Sequence, residues 1–429
     1  MVEVPFDLPP DAPDGLPVNL TATLREDGSQ SDWAWHTELT VHQPLTYSFS
    51  PMLNFPLRED QVFPLVHPNL ASMNLPGEAV FHLRLKNWRG RAQTIKIGVS
   101  GDDLKLRAVP EVSIPANAGR SIEIRAVPTK GSGVYQFSFH LSSGSFEMQD
   151  TVVLAAIEPG KALAYAFDYD RDGFADVILE NQNIRCFVSP YAGGRSFALL
   201  LKDSNHNAFN SVGGMRDTFA KRVEPKELEG LNEYTRMNWM GLTNRSYRFE
   251  IIASASTQAT VKLEYEAPDV HPAGVKLERV LSLSGDRNIV IQDSTVTPKG
   301  IQPGQAYVLE NSVSFQQAHQ PHYRRWFTNA KVPTEFSPEK ELSPGENPEF
   351  FGTVDQRNGE TFAIMLLTPP LKTQLETQRH SGIFRIRYAD FTIAGHGGHY
   401  RTAYYFGKES SAHLGALLKI VNTRVEEVK

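Results

Sequence analysis

Short runs of alternating apolar and polar residues fill the first part of the chain, from about residue 19 to residue 157. In residues 80–86, 94–99 and 133–141, every second position is apolar. This period of two is that of a β-strand, whose successive side chains point to opposite faces of a sheet. Turn-forming residues separate the runs, as in the Asn-Trp-Arg-Gly segment 87–90. The pattern predicts a β-sandwich.

Longer segments of the same kind continue to the end of the chain. They lie at 247–252, 260–266, 275–283, 288–296, 306–315, 361–367, 384–388 and 401–406. Long strands from one contiguous region are typical of a large sandwich of two sheets. Helix is scarce, and one or two turns are expected near Arg216 to Ala220. The sequence therefore predicts an all-β fold.

Chain length sets the number of domains. A chain of 429 residues is longer than one hydrophobic core usually fills, which predicts at least two domains. We expect a linker at 1–18, a first sandwich at 19–158 and a second at 159–429. Residues 19–75 form either extra strands of the first sandwich or a separate lobe. The linker is rich in Pro and Asp, which suggests an extended connection to an upstream domain.

Net charge limits the kinds of partner that are expected, and cysteine content limits the covalent cross-links. The net charge is −6 and there is no long basic run, so neither a nucleic acid nor a membrane is expected as a partner. The one cysteine, Cys186, excludes an internal disulfide and fits a buried structural thiol. No apolar stretch reaches the roughly 20 residues that span a bilayer, and no signal peptide is visible.

An acidic loop is the sharpest chemical signal. The segment Asp168-Tyr-Asp170-Arg-Asp172-Gly173-Phe174-Ala-Asp176 gathers carboxylates around a glycine turn, as Ca²⁺ sites do. The predicted ligands are the side chains of Asp168, Asp170, Asp172 and Asp176 and the carbonyl of Phe174. Leu179 stands where an EF-hand needs a bidentate glutamate, so a structural calcium loop at the start of a strand is favoured. The alternative is a solvated acidic turn.

This loop also carries a family resemblance. It leads into Val-Ile-Leu-Glu180-Asn181, a strand, the turn Pro190-Tyr-Ala-Gly-Gly-Arg195, and then Met215-Arg216-Asp217. The series resembles the C-terminal β domain of family 57 glycoside hydrolases. The resemblance implies a galactose mutarotase-like supersandwich at about 160–429. The strand order before it resembles the immunoglobulin-like accessory domains of bacterial secreted enzymes.

The resemblance also limits the chemistry. In that family the catalytic carboxylates lie in a separate barrel domain, and no alternation of strands and helices that would build a barrel is present here. The implied protein is bacterial, and we expect it to be extracellular or periplasmic, with a catalytic domain upstream as a partner.

Paired histidines are the candidates for catalysis. His319 and His322 lie on one segment, and His399 lies on another beside His396. A mutarotase-type enzyme needs a histidine acid and a carboxylate base, so one of His319, His322 and His399 together with Glu310 or Asp217 would be a minimal set. The spacing also permits a zinc pair, although no third ligand is indicated. Ordinary surface histidines remain an alternative.

A sugar-binding face is a further expectation. Saccharides are held by flat aromatic rings and by polar groups that bond hydroxyls. The candidate residues for such a face are Arg216, Asp217, His322, Tyr323, Arg324, Arg325 and Trp326.

The function expected from these signals is a non-catalytic, carbohydrate-binding or accessory region of a larger protein. Two alternatives stay open. One is a sugar-active enzyme (an epimerase, lyase or hydrolase), and the other is a structural spacer without a ligand. Fold class alone does not separate them.

Overall fold

The architecture was analysed in a computed structural model of the chain. The structure describes residues 17–25, 32–40, 45–50, 70–144, 146–168, 173–209, 215–221, 245–266, 275–298, 307–316, 324–328, 334–336, 349–369, 372–378, 381–391, 398–410 and 413–419. Most of these residues are in strands. The predicted all-β sandwich class is therefore confirmed. The described part of the chain contains no helix with the length and apolarity needed to cross a bilayer.

The described residues of the first half form eleven strands. They are β1 (Pro17–Arg25), β2 (Asp32–Thr40), β3 (Leu45–Ser50), β4 (Leu70–Asn74), β5 (Ala79–Asn87), β6 (Gln93–Gly101), β7 (Leu104–Ala108), β8 (Glu111–Ile114), β9 (Gly119–Pro128), β10 (Gly133–Ser143) and β11 (Phe146–Ile157). β1 and β2 pair only with each other among the described strands. The orders of the other two sheets are β3-β5-β9-β7 and β4-β11-β10-β6-β8.

Seventeen strands follow. They are β12 (Leu163–Phe167), β13 (Asp176–Glu180), β14 (Ile184–Ser189), β15 (Arg195–Leu201), β16 (Met215–Lys221), β17 (Arg248–Ala253), β18 (Gln258–Glu266), β19 (Val275–Ser284), β20 (Ile289–Pro298), β21 (Tyr307–Gln316), β22 (Arg324–Thr328), β23 (Thr334–Phe336), β24 (Phe350–Asp355), β25 (Thr361–Leu366), β26 (Lys372–Gln378), β27 (Ser381–Phe391) and β28 (Gly398–Gly407). One short helix, α1, spans 413–419.

These later strands form two large sheets. One has the order β12-β13-β14-β15-β16-β21-β27-β26, and the other has the order β17-β18-β19-β20-β28-β25-β24-β22-β23. We call β3–β11 the N-terminal sandwich and β12–β28 the C-terminal sandwich. Each has its own continuous apolar core, drawn from both of its sheets.

The alternating sequence of the N-terminal sandwich has a direct structural cause. In β6, buried and exposed residues alternate from Gln93 to Gly98, because one face packs on the core and the other meets water. In β10, Tyr135, Phe137, Phe139 and Leu141 are buried in the same way. Burying such side chains is the main term that stabilises the sandwich.

Strands β13 to β15 are buried on both faces. Val177 and Leu179 face the core of the C-terminal sandwich, whereas Ile178 lies in a second apolar cluster on the other side of the sheet. Leu70 of β4 and Ile157 of β11 belong to that second cluster. The N-terminal sandwich therefore covers this half of the eight-stranded sheet. This is why these strands read as continuous apolar runs rather than as alternating ones.

The helical turn expected near Arg216 to Ala220 is wrong. These residues belong to β16, which pairs with β15 at Ser196 and with β21 along seven residues from Met215 to Lys221. Pairing along its whole length with β21 gives β16 backbone hydrogen-bond partners in a sheet, and this tertiary context outweighs local helix propensity.

A close backbone contact fixes the connection between the two sandwiches. Gly160, in the connection, packs against Gly285, in the turn between β19 and β20, and a Cβ atom on Gly285 would collide with the Gly160 backbone. Nearby, the Glu158 carboxylate accepts hydrogen bonds from the backbone N–H and the hydroxyl of Ser132, each at 3.2 Å. The connection is therefore held from both sandwiches.

Replacing Gly285 tests this contact. Gly285→Ala should lower the free energy of unfolding by about 1–3 kcal/mol, because the added methyl group forces backbone apart. Urea unfolding followed by intrinsic fluorescence measures the change. Gly415→Ala is the matched control, since Gly415 lies in α1 with open space around it and alanine favours a helix. Equal midpoints for Gly285→Ala and the unaltered chain would contradict the proposed constraint.

Candidate functional site

A cleft of about 570 Å³ lies where the two sandwiches meet. The N-terminal sandwich contributes the end of β4, from Ser72 to Asn74. The C-terminal sandwich contributes the turn between β13 and β14, the residues after β15, Asn288 before β20, and the end of β28. The cleft therefore needs both sandwiches. We call it the junction cleft.

A buried carboxylate ties the two sandwiches together beside this cleft. Glu180, at the end of β13, is fully buried. Its Oε2 atom accepts hydrogen bonds from Arg185 Nε at 3.0 Å and Nη2 at 2.8 Å, and from Ser72 Oγ at 3.1 Å. Its Oε1 atom accepts one from the hydroxyl of Tyr165 at 2.7 Å. The Lys202 ammonium lies 3.3 Å from Oε2.

The electrostatics of this cluster favour the charged form of Glu180. Burial by itself raises the pKa of the carboxyl, but the charges of Arg185 and Lys202 and the hydrogen bond from Tyr165 outweigh it and lower the pKa to about 2. Burial and the Glu180 charge raise the pKa of Tyr165 well above its ordinary value. Burial lowers the pKa of Lys202. Glu180 is thus an ionised structural anchor at neutral pH.

Asn181 shapes the turn that enters the cleft. Its Oδ1 atom accepts hydrogen bonds from the backbone N–H of Asn183 at 2.8 Å and of Ile184 at 2.9 Å. Its Nδ2 group donates to the carbonyls of Ser284 and Arg287, both at 2.8 Å. One buried amide therefore fixes two turns at this end of the sandwich, because asparagine bonds readily to nearby backbone.

Four residues that carry side-chain carboxamides line the cleft. Gln182 and Asn183 come from one turn, Asn288 from the other, and Asn74 from the end of β4. Asn74 Nδ2 donates to the carbonyl of Gln182 at 3.2 Å. A carboxamide carries a donor and an acceptor side by side, which is the chemistry that matches a hydroxyl group.

One ion pair and a few apolar atoms complete the lining. Lys408 Nζ lies 3.1 Å from Asp203 Oδ2, and both side chains are mostly exposed. The Tyr405 hydroxyl accepts the backbone N–H of Glu409 at 2.9 Å, and burial raises the pKa of this tyrosine to about 12. Met73 supplies apolar surface. The lining is therefore mainly polar, and its charges are of both signs.

The residues predicted to bind sugar fall in two different sheets. Arg216 and Asp217 are in β16 of the eight-stranded sheet, whereas Arg324, Arg325 and Trp326 are in β22 of the nine-stranded sheet. His322 and Tyr323 lie outside the described residues. Strand pairing does not bring the two groups together, and the single face predicted from sequence stays a prediction.

The catalytic candidates are similarly divided. Glu310, in β21, pairs with Thr218 of β16, next to Asp217, and with Arg387 of β27. His399 is in β28, in the other sheet, and its Nε2 atom lies 2.6 Å from Asp293 Oδ1. His319 and His322 lie outside the described residues.

The acidic loop is described only at its two ends. Asp168 Oδ2 accepts the backbone N–H of Gly173 at 3.0 Å, while Asp176 starts β13 and is fully buried. The exposed Phe174 ring lies 5.3 Å from that of Tyr191, centroid to centroid. Asp170 and Asp172 lie outside the described residues. Within the described part, no group of three or more His, Cys, Asp or Glu is arranged to hold a metal ion.

Cys186 is confirmed as a buried thiol. It is 1% exposed in the core of the C-terminal sandwich, and burial raises its pKa to about 12. A thiol needs to ionise to act as a nucleophile. This cysteine is therefore structural.

Several solved structures are similar to this chain. An α-mannosidase from Enterococcus faecalis has a TM-score of 0.42 and 9% identity, over 81% of this chain and 44% of its own. A galactose mutarotase related enzyme from Lactobacillus acidophilus has a TM-score of 0.41 and 9% identity, over 55% and 98%. A 4-α-glucanotransferase from Thermococcus litoralis has a TM-score of 0.36 and 14% identity, over 58% and 40%.

The chain therefore spans less than half the length of the mannosidase and of the glucanotransferase. No protein-family model matches the sequence, and no curated protein sequence matches it. The activity of this chain has to be inferred from its own side chains.

The sequence pattern did not predict most of the residues that line the junction cleft. Gln182 and Asn183 directly follow the Glu180-Asn181 pair that carries part of the family resemblance. They were therefore the cleft residues that the sequence could most readily have indicated. Asn74 and Asn288 are polar residues at strand ends, and nothing local distinguishes them from other turn residues. They become a site only because tertiary packing brings four strand ends together.

Glu180→Gln tests the buried cluster. The change should lower the free energy of unfolding at pH 7 by about 3–5 kcal/mol, because it leaves buried cations without their counter-charge. The unaltered chain should also lose stability as the pH falls from about 4.5 towards 2. Over that range the unfolded carboxyl takes up a proton while the folded one does not. Thermal unfolding between pH 2 and pH 7 measures both effects.

Glu123→Gln is the matched control, since Glu123 pairs with Arg125 on the exposed surface. Exposed pairs contribute little to stability. Unfolding temperatures that respond equally to the two substitutions would rule out a special role for Glu180.

Proposed function

We propose that this chain is a carbohydrate-binding accessory region and that a saccharide binds in the junction cleft. The observation that supports this most is that four residues with side-chain carboxamides, Asn74, Gln182, Asn183 and Asn288, line one cavity of about 570 Å³. Small-molecule sites have volumes of roughly 300–1,000 Å³. Side-chain amides bond the hydroxyls of a neutral polyol without requiring a charge on the ligand.

Binding without catalysis is favoured by the state of the reactive groups near the cleft. Glu180 is ionised, with a pKa of about 2, and all of its described partners are donors. A general acid at neutral pH needs a pKa near the working pH. Lys202 bonds Ser72 Oγ at 2.9 Å and the Asn181 carbonyl at 3.0 Å, which engages its ammonium in structure.

The finer parts of the proposal come from the sequence. We propose that the C-terminal sandwich corresponds to the family 57-like supersandwich domain and that the N-terminal sandwich is immunoglobulin-like. An extracytoplasmic location and a catalytic domain upstream follow from the same resemblance. In such a protein this region would hold a saccharide beside the domain that processes it.

Substitutions in the cleft test saccharide binding. Asn183→Ala and Asn288→Ala should each weaken the affinity for a bound glycan by about fivefold to tenfold, the effect of one lost hydrogen bond. A glycan array identifies the ligand, and isothermal titration calorimetry measures the affinity. Gln149→Ala, at an exposed carboxamide on β11, is the control that should change nothing.

Empty results from both the glycan array and a turnover screen would favour the structural spacer instead. Turnover of hexoses or oligosaccharides would favour the sugar-active enzyme. One observation supports this second candidate, namely the 2.6 Å contact between His399 Nε2 and Asp293 Oδ1 on adjacent strands. A carboxylate that holds a histidine in this way can orient it as a base. Activity lost in His399→Ala without loss of fold would identify it.

Calcium binding by the acidic loop is a separate proposal. A site held at 100 times its dissociation constant stabilises the folded state by about 2.7 kcal/mol. Adding a chelator should therefore lower the melting temperature of the unaltered chain. In Asp168→Asn this effect should disappear, because the amide keeps an oxygen for the Gly173 N–H but removes a charge. An identical melting temperature with calcium and with chelator would refute the proposal.

A further inference from the structure

The charged residues of the junction cleft balance one another. Two lysines, Lys202 and Lys408, and two acids, Asp203 and Glu409, line it. Lys202 lies 3.3 Å from Glu180, a carboxylate that also pairs with Arg185. Lys408 is paired with Asp203 at 3.1 Å. Among the described residues that line the cleft, each lysine therefore has an acid beside it.

The Asp203–Lys408 ion pair is exposed to solvent, unlike the pair that Lys202 forms with the buried Glu180. Its two side chains are 63% and 57% exposed, and they come from segments far apart in sequence, after β15 and after β28. An exposed pair contributes little to folding, because water already solvates both charges. Both residues line the junction cleft together with Asn74, Gln182, Asn183 and Asn288.

From this arrangement we infer that the Asp203–Lys408 pair makes the junction cleft select neutral saccharides over acidic ones. The inference rests on the proposed function and adds the class of ligand to it. A carboxylate on the sugar would have to displace Asp203 from Lys408 or lie beside the charges of Asp203 and Glu409. Repulsion between two charges about 4 Å apart in water reduces affinity by about fivefold.

Two substitutions act in opposite directions. Asp203→Asn leaves Lys408 without its acid, so the preference should shift by about fivefold towards an acidic ligand. Lys408→Met leaves Asp203 without its cation, so the preference should shift by a similar factor towards a neutral one. Opposite signs from adjacent side chains are not expected from general damage to the fold.

The experiment compares ligands that differ only at C6, where a neutral hydroxymethyl group is replaced by a carboxylate. Methyl β-glucoside with methyl β-glucuronide, and methyl β-galactoside with methyl β-galacturonide, are titrated into the full chain and followed by NMR. The measured quantity is the ratio of the two dissociation constants within each pair. Asp103→Asn is the control, since Asp103 forms a similar exposed pair with Lys130 at 2.7 Å in the N-terminal sandwich. Raising the salt concentration should reduce each shift, because exposed charges are screened.

The possible outcomes distinguish a failure of the inferred charge selectivity from a failure of the proposed saccharide binding. A neutral preference that shifts in opposite directions in the two variants supports both. If the unaltered chain binds neutral and acidic members equally, or if neither variant changes the ratio, the inference is wrong while saccharide binding stands. If no member binds, the proposed function fails and the inference fails with it.

Discussion

The ion cluster around Glu180 is the interaction on which the arrangement of this molecule depends. A carboxylate without solvent is costly, and the structure compensates with Arg185, Lys202, Tyr165 and Ser72. Ser72 belongs to the N-terminal sandwich and the others to the C-terminal one. The cluster is therefore complete only when the two sandwiches are in contact, which makes their relative position part of the electrostatic balance.

Apolar packing and a close backbone contact also hold the two sandwiches together. Leu70 and Ile157 cover Ile178 and Phe187 on the outer face of the eight-stranded sheet. The connection between the sandwiches packs at Gly160 against Gly285. Burial of apolar side chains thus stabilises the contact between the two sandwiches. Glu180 also favours one relative position of the sandwiches, because its buried charge needs its hydrogen-bond donors in place. The junction cleft exists beside this contact because the turns around it are fixed by Asn181.

A good part of the fold was predictable. The alternation in β6 and β10 predicted strands, because one face of each meets water. The apolar runs of β13 to β15 carried no such period, since the N-terminal sandwich covers their second face. At β16, a helical turn was expected near Arg216 to Ala220, and pairing with β21 made this segment a strand. The predicted sugar-binding residues Arg216 and Trp326 were grouped by type, and strand order put them in different sheets.

The amino-acid sequence by itself determined the all-β class, the absence of an internal disulfide and the position of the acidic loop, because each depends on residue type or on a period of two. It also marked Glu180-Asn181 as a pair of interest. Only the tertiary structure decided that Glu180 is an ionised anchor and that Asn74, Gln182, Asn183 and Asn288 meet in one cleft. The reason is that Ser72, Asn74 and Asn288 lie more than a hundred positions from the segment Glu180 to Asn183, and only the packing of the strands brings them to it, which no local pattern records.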